Sequence, residues 1–300
     1  MTMKRNIIIV TGGAGFVGSN LISYLLKKTK YKIISIDNYS SGNRKNEINN
    51  NRIRYIKGNT KQISHLLNRY KKNINSIFHF GEFSRIYQSF LKFNQCIDSN
   101  SIGTHEVFNF CLKNKIKLIY SATSASLGNK GRDKDLSPYA FSKAKNLELL
   151  ENLNKWFNMK FEIIYFYNVY GPKQICKGDM ATVIGIFEDR FKKKLPLPVV
   201  KPGTQSRRFT HINDTIKAWL LFAWKKNKCR HYSITNKKSY KIIEVAKMFN
   251  HKIKLLSPRK GERFASALTT MILSNKVYKI YGKTMLKDYI NEFISSKKVK

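Results

Sequence analysis

Ile7-Ile8-Ile9-Val10-Thr11-Gly12-Gly13-Ala14-Gly15-Phe16-Val17-Gly18 is the stretch whose reading decides the fold. Its apolar run is β-branched and short, so it predicts a buried strand rather than a membrane span. Gly12, Gly15 and Gly18 then open a helix that carries Leu21, Ile22, Leu25 and Leu26 on one face. Lacking a Cβ, these glycines let a phosphate approach the backbone at a helix N-terminus, where free N–H groups and the helix dipole favour negative charge. A second apolar segment, Lys32 to Ile36, ends in Asp37, nineteen residues past Gly18. An acid there occupies the ribose-binding position of a dinucleotide-binding βαβ unit. Its carboxylate accepts from ribose hydroxyls and repels a 2′-phosphate, so the expected cofactor is NAD rather than NADP. The glycine pattern alone says little; strand, glycines, helix, strand and terminal acid in that order carry the reading.

Working outward, strand-like segments at 6–10, 32–36, 53–56, 76–80, 116–121 and 161–167 alternate with helical ones near 16–28, 61–71, 98–114 and 138–157. That alternation predicts an α/β fold, a Rossmann doubly wound parallel sheet with helices on both faces. Breakers thicken at Gly171-Pro172, Pro196, Pro198 and Pro202-Gly203. Residues 1–171 therefore read as an NAD-binding domain, to which a segment near 204–230 returns. Residues 172–300 read mostly as a smaller, mixed substrate-binding region, with helices at 214–226, 241–249 and 286–296 and a strand at 252–256.

Composition bounds the rest. Three hundred residues, 42% of them hydrophobic, can bury a sizeable core. Cys96, Cys111, Cys176 and Cys229 form neither CxxC pairs nor metal-ligand spacings with His, so they read as reduced thiols and no metal is expected. The first apolar run is too short for a signal peptide and no later one suits a bilayer, which predicts a cytoplasmic protein. A net charge of +39, from 57 basic and 18 acidic residues, raises the question of nucleic acid. Lys is spread along the whole chain, however, beside abundant Asn and Ile. All three have A/T-rich codons, so compositional drift explains them together, and nucleic acid is not the expected partner.

The chemistry gathers further along. The segment 116–120 runs into Ser121-Ala122-Thr123-Ser124, and sixteen residues past Thr123 comes Tyr139-Ala140-Phe141-Ser142-Lys143, introduced by Ser137-Pro138. On a helix, Tyr139 and Lys143 share a face. A nearby ammonium stabilises phenolate and draws a Tyr pKa from about 10 toward neutrality. Such a Tyr takes a proton from a sugar hydroxyl while hydride leaves the carbon beneath it. A hydroxyl donor such as Thr123 steadies the oxygen as it becomes a carbonyl.

With these motifs in place, the chain resembles the extended short-chain dehydrogenase/reductases, and among them the NAD-dependent nucleotide-sugar epimerase/dehydratase family. The likeness runs along essentially the whole chain: TGGAGFVGSN, IDNYSSGNRKN, IFHFGE, NSIGT, YSATSASLG, SPYAFSKA, YFYNVYGP, RRFTHIND and PRKGER are each similar to a family segment. The resemblance implies a cofactor site of Gly12, Gly15, Phe16, Val17, Gly18, Asp37, Asn38, Asn59, Thr60, Phe80, Gly81, Asn100, Tyr139 and Lys143. It implies Thr123, Ser124, Tyr139 and Lys143 as catalytic residues, and Asn168, Arg207, Arg259 and Glu262 as substrate-binding ones. Arg on a diphosphate also follows from its planar fork, which matches paired phosphate oxygens. Three departures stand out: Asn59 replaces an acid beside the adenine, Arg208 and Asn213 replace acids of their motif, and Glu82 stands where small residues are usual.

Within that family, 4,6-dehydratases carry an Asp-Glu pair after the Thr, and sugar-acid decarboxylases a Ser-Glu pair. Here Ser124-Ala125 follows, with no acid. The resemblance therefore implies a UDP-sugar 4-epimerase working through a 4-keto intermediate, within carbohydrate metabolism and polysaccharide biosynthesis. The alternatives are a dehydratase or reductase of the same family, or a basic NAD-binding scaffold without catalysis. The helices 98–114 and 138–157 carry Val107, Phe108, Phe110, Leu147, Leu149, Leu150 and Leu153. Related enzymes pair these helices with their mates, which implies a homodimer.

Overall fold

A computed structural model describes residues 5–124, 133–223, 231–258 and 277–298. Six strands, β1 (Ile7–Thr11), β2 (Lys32–Asp37), β3 (Ile53–Lys57), β4 (Ile74–His79), β5 (Lys117–Thr123) and β6 (Phe161–Phe166), come from the first two-thirds of the chain. Short strands β7 (Val169–Tyr170), β8 (Leu197–Val200), β9 (Ser206–Arg208) and β10 (Thr210–His211) follow. The last four are β11 (His231–Thr235), β12 (Ser239–Lys241), β13 (Ile253–Leu256) and β14 (Val277–Tyr281). Among the described residues, one sheet has eight strands in the order β14-β11-β6-β5-β4-β1-β2-β3, and the ladders between them are parallel. This is a Rossmann-like doubly wound sheet with helices on both faces, as the alternation predicts.

β1 explains why both faces must be covered. All five of its residues are buried. Successive side chains point to opposite faces, so Ile7 and Ile9 join one core while Ile8 and Val10 join another. The first core is closed by α2 (Ile63–Leu67), by α5 (Thr104–Lys113), which follows the short helices α3 (Ile86–Leu91) and α4 (Phe93–Ile97), and by α6 (Pro138–Phe157). The second lies under α1 (Phe16–Lys28) and α8 (Ile212–Ala223), separated in sequence by α7 (Val183–Lys192). A third core, with Phe187, Leu197, Phe209, Val245, Phe249 and Ile290, is built from α7, α9 (Ile242–Met248) and α10 (Leu286–Lys298).

Several elements differ from expectation. The helix expected over 61–71 is three short pieces, and that over 98–114 begins as a wider π turn, Asp98–Gly103, before α5. No strand is expected over 231–235 or 277–281, yet β11 and β14 extend the main sheet beside β6. The chain thus returns to that sheet later, and more fully, than the segment near 204–230 suggests. The apolar residues named for self-association also have an internal explanation. Val107, Phe108, Phe110 and Leu150 are buried in the first core, and Leu147, Leu149 and Leu153 pack against it. No described helix is long and apolar enough to cross a membrane.

The turn after β1 sets the shape of the site. Gly12 sits at φ +70°, where a side chain would also meet the Phe80 carbonyl carbon at 2.8 Å. A Cβ at Gly18 would lie 2.3 Å from the Gly12 carbonyl oxygen and 2.7 Å from Gly13 Cα, both backbone atoms that cannot swing aside. Gly18→Ala is therefore expected to destabilise the protein by about 1–3 kcal/mol, the usual range for overpacking. Urea denaturation measures it; an unchanged midpoint would mean the turn has room to spare.

Candidate active site

A cleft of about 660 Å³ runs along the carboxyl ends of the central strands. The glycine turn contributes Gly12, Gly15, Phe16, Val17 and Gly18, and the end of β2 contributes Asp37 and Asn38. Asn59 and Thr60 come from the loop past β3, Phe80 and Gly81 from the loop past β4, and Thr123 and Ser124 from the end of β5. Tyr139 and Lys143 reach it from α6, Asn168 from the turn past β6, and Arg207 from β9. Arg259 and Glu262 lie outside the described residues, as does Ala125.

At one end the walls suit a dinucleotide. Gly15, at the N-cap of α1, has no side chain to cap the helix, so the first-turn N–H groups stay available to a ligand. Asp37 is only 7% exposed. Its Oδ2 accepts from the Ala14 N–H at 2.9 Å and its Oδ1 from the Tyr39 N–H at 2.8 Å, which pins the carboxylate against the glycine turn. Burial pushes the Asp37 pKa up, opposed by hydrogen bonds from Tyr39, Ala14 and Gly15. Asn38 donates to Asn59 Oδ1 at 2.8 Å, so the residue standing in place of an acid serves as an acceptor. A Cβ at Gly12 or Gly18 would strike backbone atoms of the loop past β4 or of the turn itself, so the cradle keeps its shape only with glycine there; the residues present fit NAD.

At the other end, α6 brings Tyr139 and Lys143 to one wall. Ser137 caps this helix by accepting from the Ala140 N–H at 3.1 Å, and Pro138 starts it with its φ already helical. The Tyr139 N–H donates to Ser89 Oγ at 3.3 Å, tying α6 to α3. Thr123 (9%), Ser124 (5%) and Lys143 (3%) are all nearly inaccessible. Lys143 donates to the Ser121 carbonyl and to Glu82. Burial pushes its pKa down, and the Glu82 charge opposes that.

Asn100 does not line the cleft. It is fully buried, accepts from the Phe83 N–H at 2.6 Å and donates to the Phe83 carbonyl at 3.0 Å and to Ser142 Oγ at 3.2 Å. Its place is behind the wall, bracing the loop past β4 against α6. Asn168 has a left-handed backbone (φ +36°) and donates to the Arg208 carbonyl at 2.8 Å, which leaves the second N–H of its amide for a ligand. A further wall comes from the loops near 83–90 and 176–202, whose conformations cannot be read from sequence: Ile175 and the segment 178–183 line the cleft, and Arg85 crosses to the Met180 carbonyl. That stretch is irregular, and neither periodicity nor motif marks it.

The chain matches the NAD dependent epimerase/dehydratase family over residues 8–236. It is 28% identical over 273 residues to the putative UDP-glucose 4-epimerase of Methanocaldococcus jannaschii, covering 85% of this chain and 87% of that protein. Against the ADP-L-glycero-D-manno-heptose-6-epimerase of Brachyspira hyodysenteriae it is 28% identical over 254 residues, covering 80% and 79%. Among solved structures, the UDP-N-acetylglucosamine 4-epimerase of Methanobrevibacter ruminantium, in complex with UDP-N-acetylmuramic acid, superposes with a TM-score of 0.81 at 25% identity, over 99% of this chain and 98% of that one. Matched over most of its length, the chain belongs to the NAD dependent epimerase/dehydratase family, whose description names the cofactor that the glycine turn and Asp37 suit.

Proposed function

We propose that this enzyme of nucleotide-sugar metabolism is a UDP-sugar 4-epimerase of the UDP-glucose/UDP-galactose type. The observation that carries the reading is the state of the cleft's acids. Elimination of water needs a free general acid and base beyond the Tyr. Among the described residues that line the cleft, Asp37 is held by backbone N–H groups, Glu82 by Lys143, Asp98 by Lys61 at 3.0 Å and Asp179 by Lys92 at 2.9 Å. Thr123 and Ser124, at the end of β5, bring only hydroxyls. What remains is oxidation and re-reduction at one carbon.

In this mechanism Tyr139 takes the proton of the sugar's C4 hydroxyl, aided by the nearby Lys143 charge. Thr123 and Ser124 donate to the oxygen as it becomes a carbonyl. NAD, when bound, supplies the acceptor and later donor of hydride. Arg207, with the second N–H of the Asn168 amide, holds the diphosphate and leaves the 4-keto sugar free to turn before Tyr139 returns the proton. Arg259 and Glu262 belong to the nucleoside end of the same proposal. The purified protein is expected to interconvert UDP-glucose and UDP-galactose, or their N-acetylated forms, without net change of absorbance at 340 nm. Accumulating NADH would instead identify a reductase.

Tyr139→Phe removes only a hydroxyl, so NAD binding is expected to survive while turnover falls by about two to four orders of magnitude. Lys143→Ala is expected to cost at least as much. The two act as a unit, so the double variant is expected to be little worse than the poorer single one. Full activity in Tyr139→Phe would remove the assignment.

For Asp37→Ala, loss of a charged acceptor is worth about 1.5–3 kcal/mol, or roughly ten- to a hundredfold in NAD affinity. Discrimination against NADP is expected to shrink with it. Calorimetric titration checks both, and two unchanged affinities would take Asp37 out of the ribose site.

A homodimer is part of the proposal. Ile102, Phe141, Trp156 and Phe157 remain exposed on or beside the two long helices of that face. Light scattering is expected to give twice the 35.0 kDa chain mass. A monomer at micromolar concentration would limit these helices to their own core.

A further inference from the structure

Glu82 and Lys143 form an ion pair on the inner wall of the cleft, with side chains only 3% and 4% exposed. Glu82 comes from the loop past β4; Lys143 lies one turn beyond Tyr139 on α6. The ammonium donates to Glu82 Oε2 and to the Ser121 carbonyl. Two of its three protons therefore point back into the protein. The other carboxylate oxygen accepts from the Tyr120 hydroxyl at 2.9 Å and the Thr104 hydroxyl at 3.0 Å, with Asn146 Nδ2 at 3.5 Å. Ser121 Oγ approaches Oε2 at 3.4 Å.

The network continues behind the pair. Because Thr104 gives its one proton to Glu82, His79 donates to Thr104 through Nε2 (3.0 Å) and accepts from Thr11 through Nδ1 (2.7 Å). Thr11 Oγ1 in turn accepts from the Phe80 and Gly81 N–H groups at 3.1 and 3.0 Å. Glu82 is thus fixed from β1, β4, β5, the start of α5, and α6. Nothing in this arrangement lets it swing away from Lys143.

We infer that Glu82 is a positioning residue of this site: it holds Lys143 against β5 and balances its charge, so that Tyr139 works as a base at higher pH than a lone ammonium beside it would allow. The inference rests on Tyr139 being the base proposed above. A lone buried ammonium favours phenolate strongly, whereas an ion pair presents a dipole whose field falls off faster with distance.

The other groups facing the pair do not supply a compensating charge. From β4, His79 is held neutral, its pKa pushed down by burial to about 4. From α4, burial pushes the Cys96 thiol up to about 11, and from β5 burial pushes the Tyr120 phenol well above its ordinary value. Of the cleft's other cations, which include Lys61, Lys92 and Arg207, Arg85 interacts electrostatically with Tyr139 and pairs with no carboxylate among the described residues. Its Nε is buried without a hydrogen-bond partner.

The test is Glu82→Gln. The amide can turn its oxygen to Lys143 and its NH2 to the hydroxyls of Thr104 and Tyr120, which accept as well as donate. The variant thus keeps shape and hydrogen bonds and loses the charge. Removing a negative charge makes proton loss easier, so Tyr139 is expected to titrate about one pH unit lower, a tenfold fall in proton affinity. The signal is read by NMR of 13Cζ-tyrosine, identified as the one missing in Tyr139→Phe, and it needs no substrate. The acid limb of kcat/KM is expected to move down by the same amount, with KM at the plateau little changed. An unmoved Tyr139 titration in folded Glu82→Gln overturns the inference, whatever the reaction. A moved titration with a fully active Tyr139→Phe would sustain the electrostatic effect and sink the proposed function instead.

Glu82→Ala combined with Tyr120→Phe is the second variant. It removes the carboxylate together with a donor it would strand, while Thr104 turns to the Ser99 carbonyl, 3.5 Å away. The same shift is expected. Failure of both variants to fold would make Glu82 a structural residue and overturn the inference.

Discussion

β1 is hydrogen-bonded to β2 on one side and to β4 on the other, with every side chain buried, and the rest of the site depends on that double pairing. The strand order reverses there, so the loops after β1 and β4 leave in different directions and open a crevice beyond the carboxyl ends. The Gly12 N–H donates to the Ile36 carbonyl at 2.7 Å, and the Phe80 N–H to the Thr11 carbonyl at 3.1 Å, so both neighbouring strands are still tied to β1 at the crevice floor. Moving any of the three would misplace Asp37, the glycine turn and the loop past β4 together.

The chain has 18 acids to 57 basic residues, yet several of its acids are buried. Four of them show the pattern: Asp37 has the N–H groups of Ala14 and Tyr39, Glu82 has Lys143, Glu162 has Lys117 at 3.0 Å, and Glu188 has the Tyr289 hydroxyl at 2.7 Å. A buried charge is costly unless paired and hydrogen-bonded. That cost explains why Glu82 sits where β5, α5 and α6 all reach its two oxygens. It also accounts for the hydroxyls and amides collected there, including those of Tyr120, Thr104 and Asn146, which a purely apolar wall would not need.

Much of the site was legible because its signals are local. The run Ile7–Val10, the glycines after it and Asp37 at the end of the next apolar run are close in sequence, and hydrophobic period and backbone freedom act over that range. Ser137-Pro138 likewise announces the start of α6 by capping chemistry. The family resemblance added Asn168 and Arg207, which line the same cleft, and Asn100, which lies behind its wall.

The sequence by itself determined the parallel Rossmann-like sheet, the dinucleotide cradle and the Tyr139–Lys143 face, because each rests on periodicity or spacing within a single element and its immediate turn. Only the tertiary structure decided that β11 and β14 extend that sheet, since strand pairing at its far edge is a long-range hydrogen-bonding choice with little local preference behind it. It alone decided that Val107, Phe108 and Phe110 serve the chain's own core, because apolarity says that a residue is covered and not by what. And it alone paired Glu82 with Lys143, sixty-one residues apart in the chain, because a charge finds its partner through the field in a folded interior and leaves no trace in the spacing of the residues.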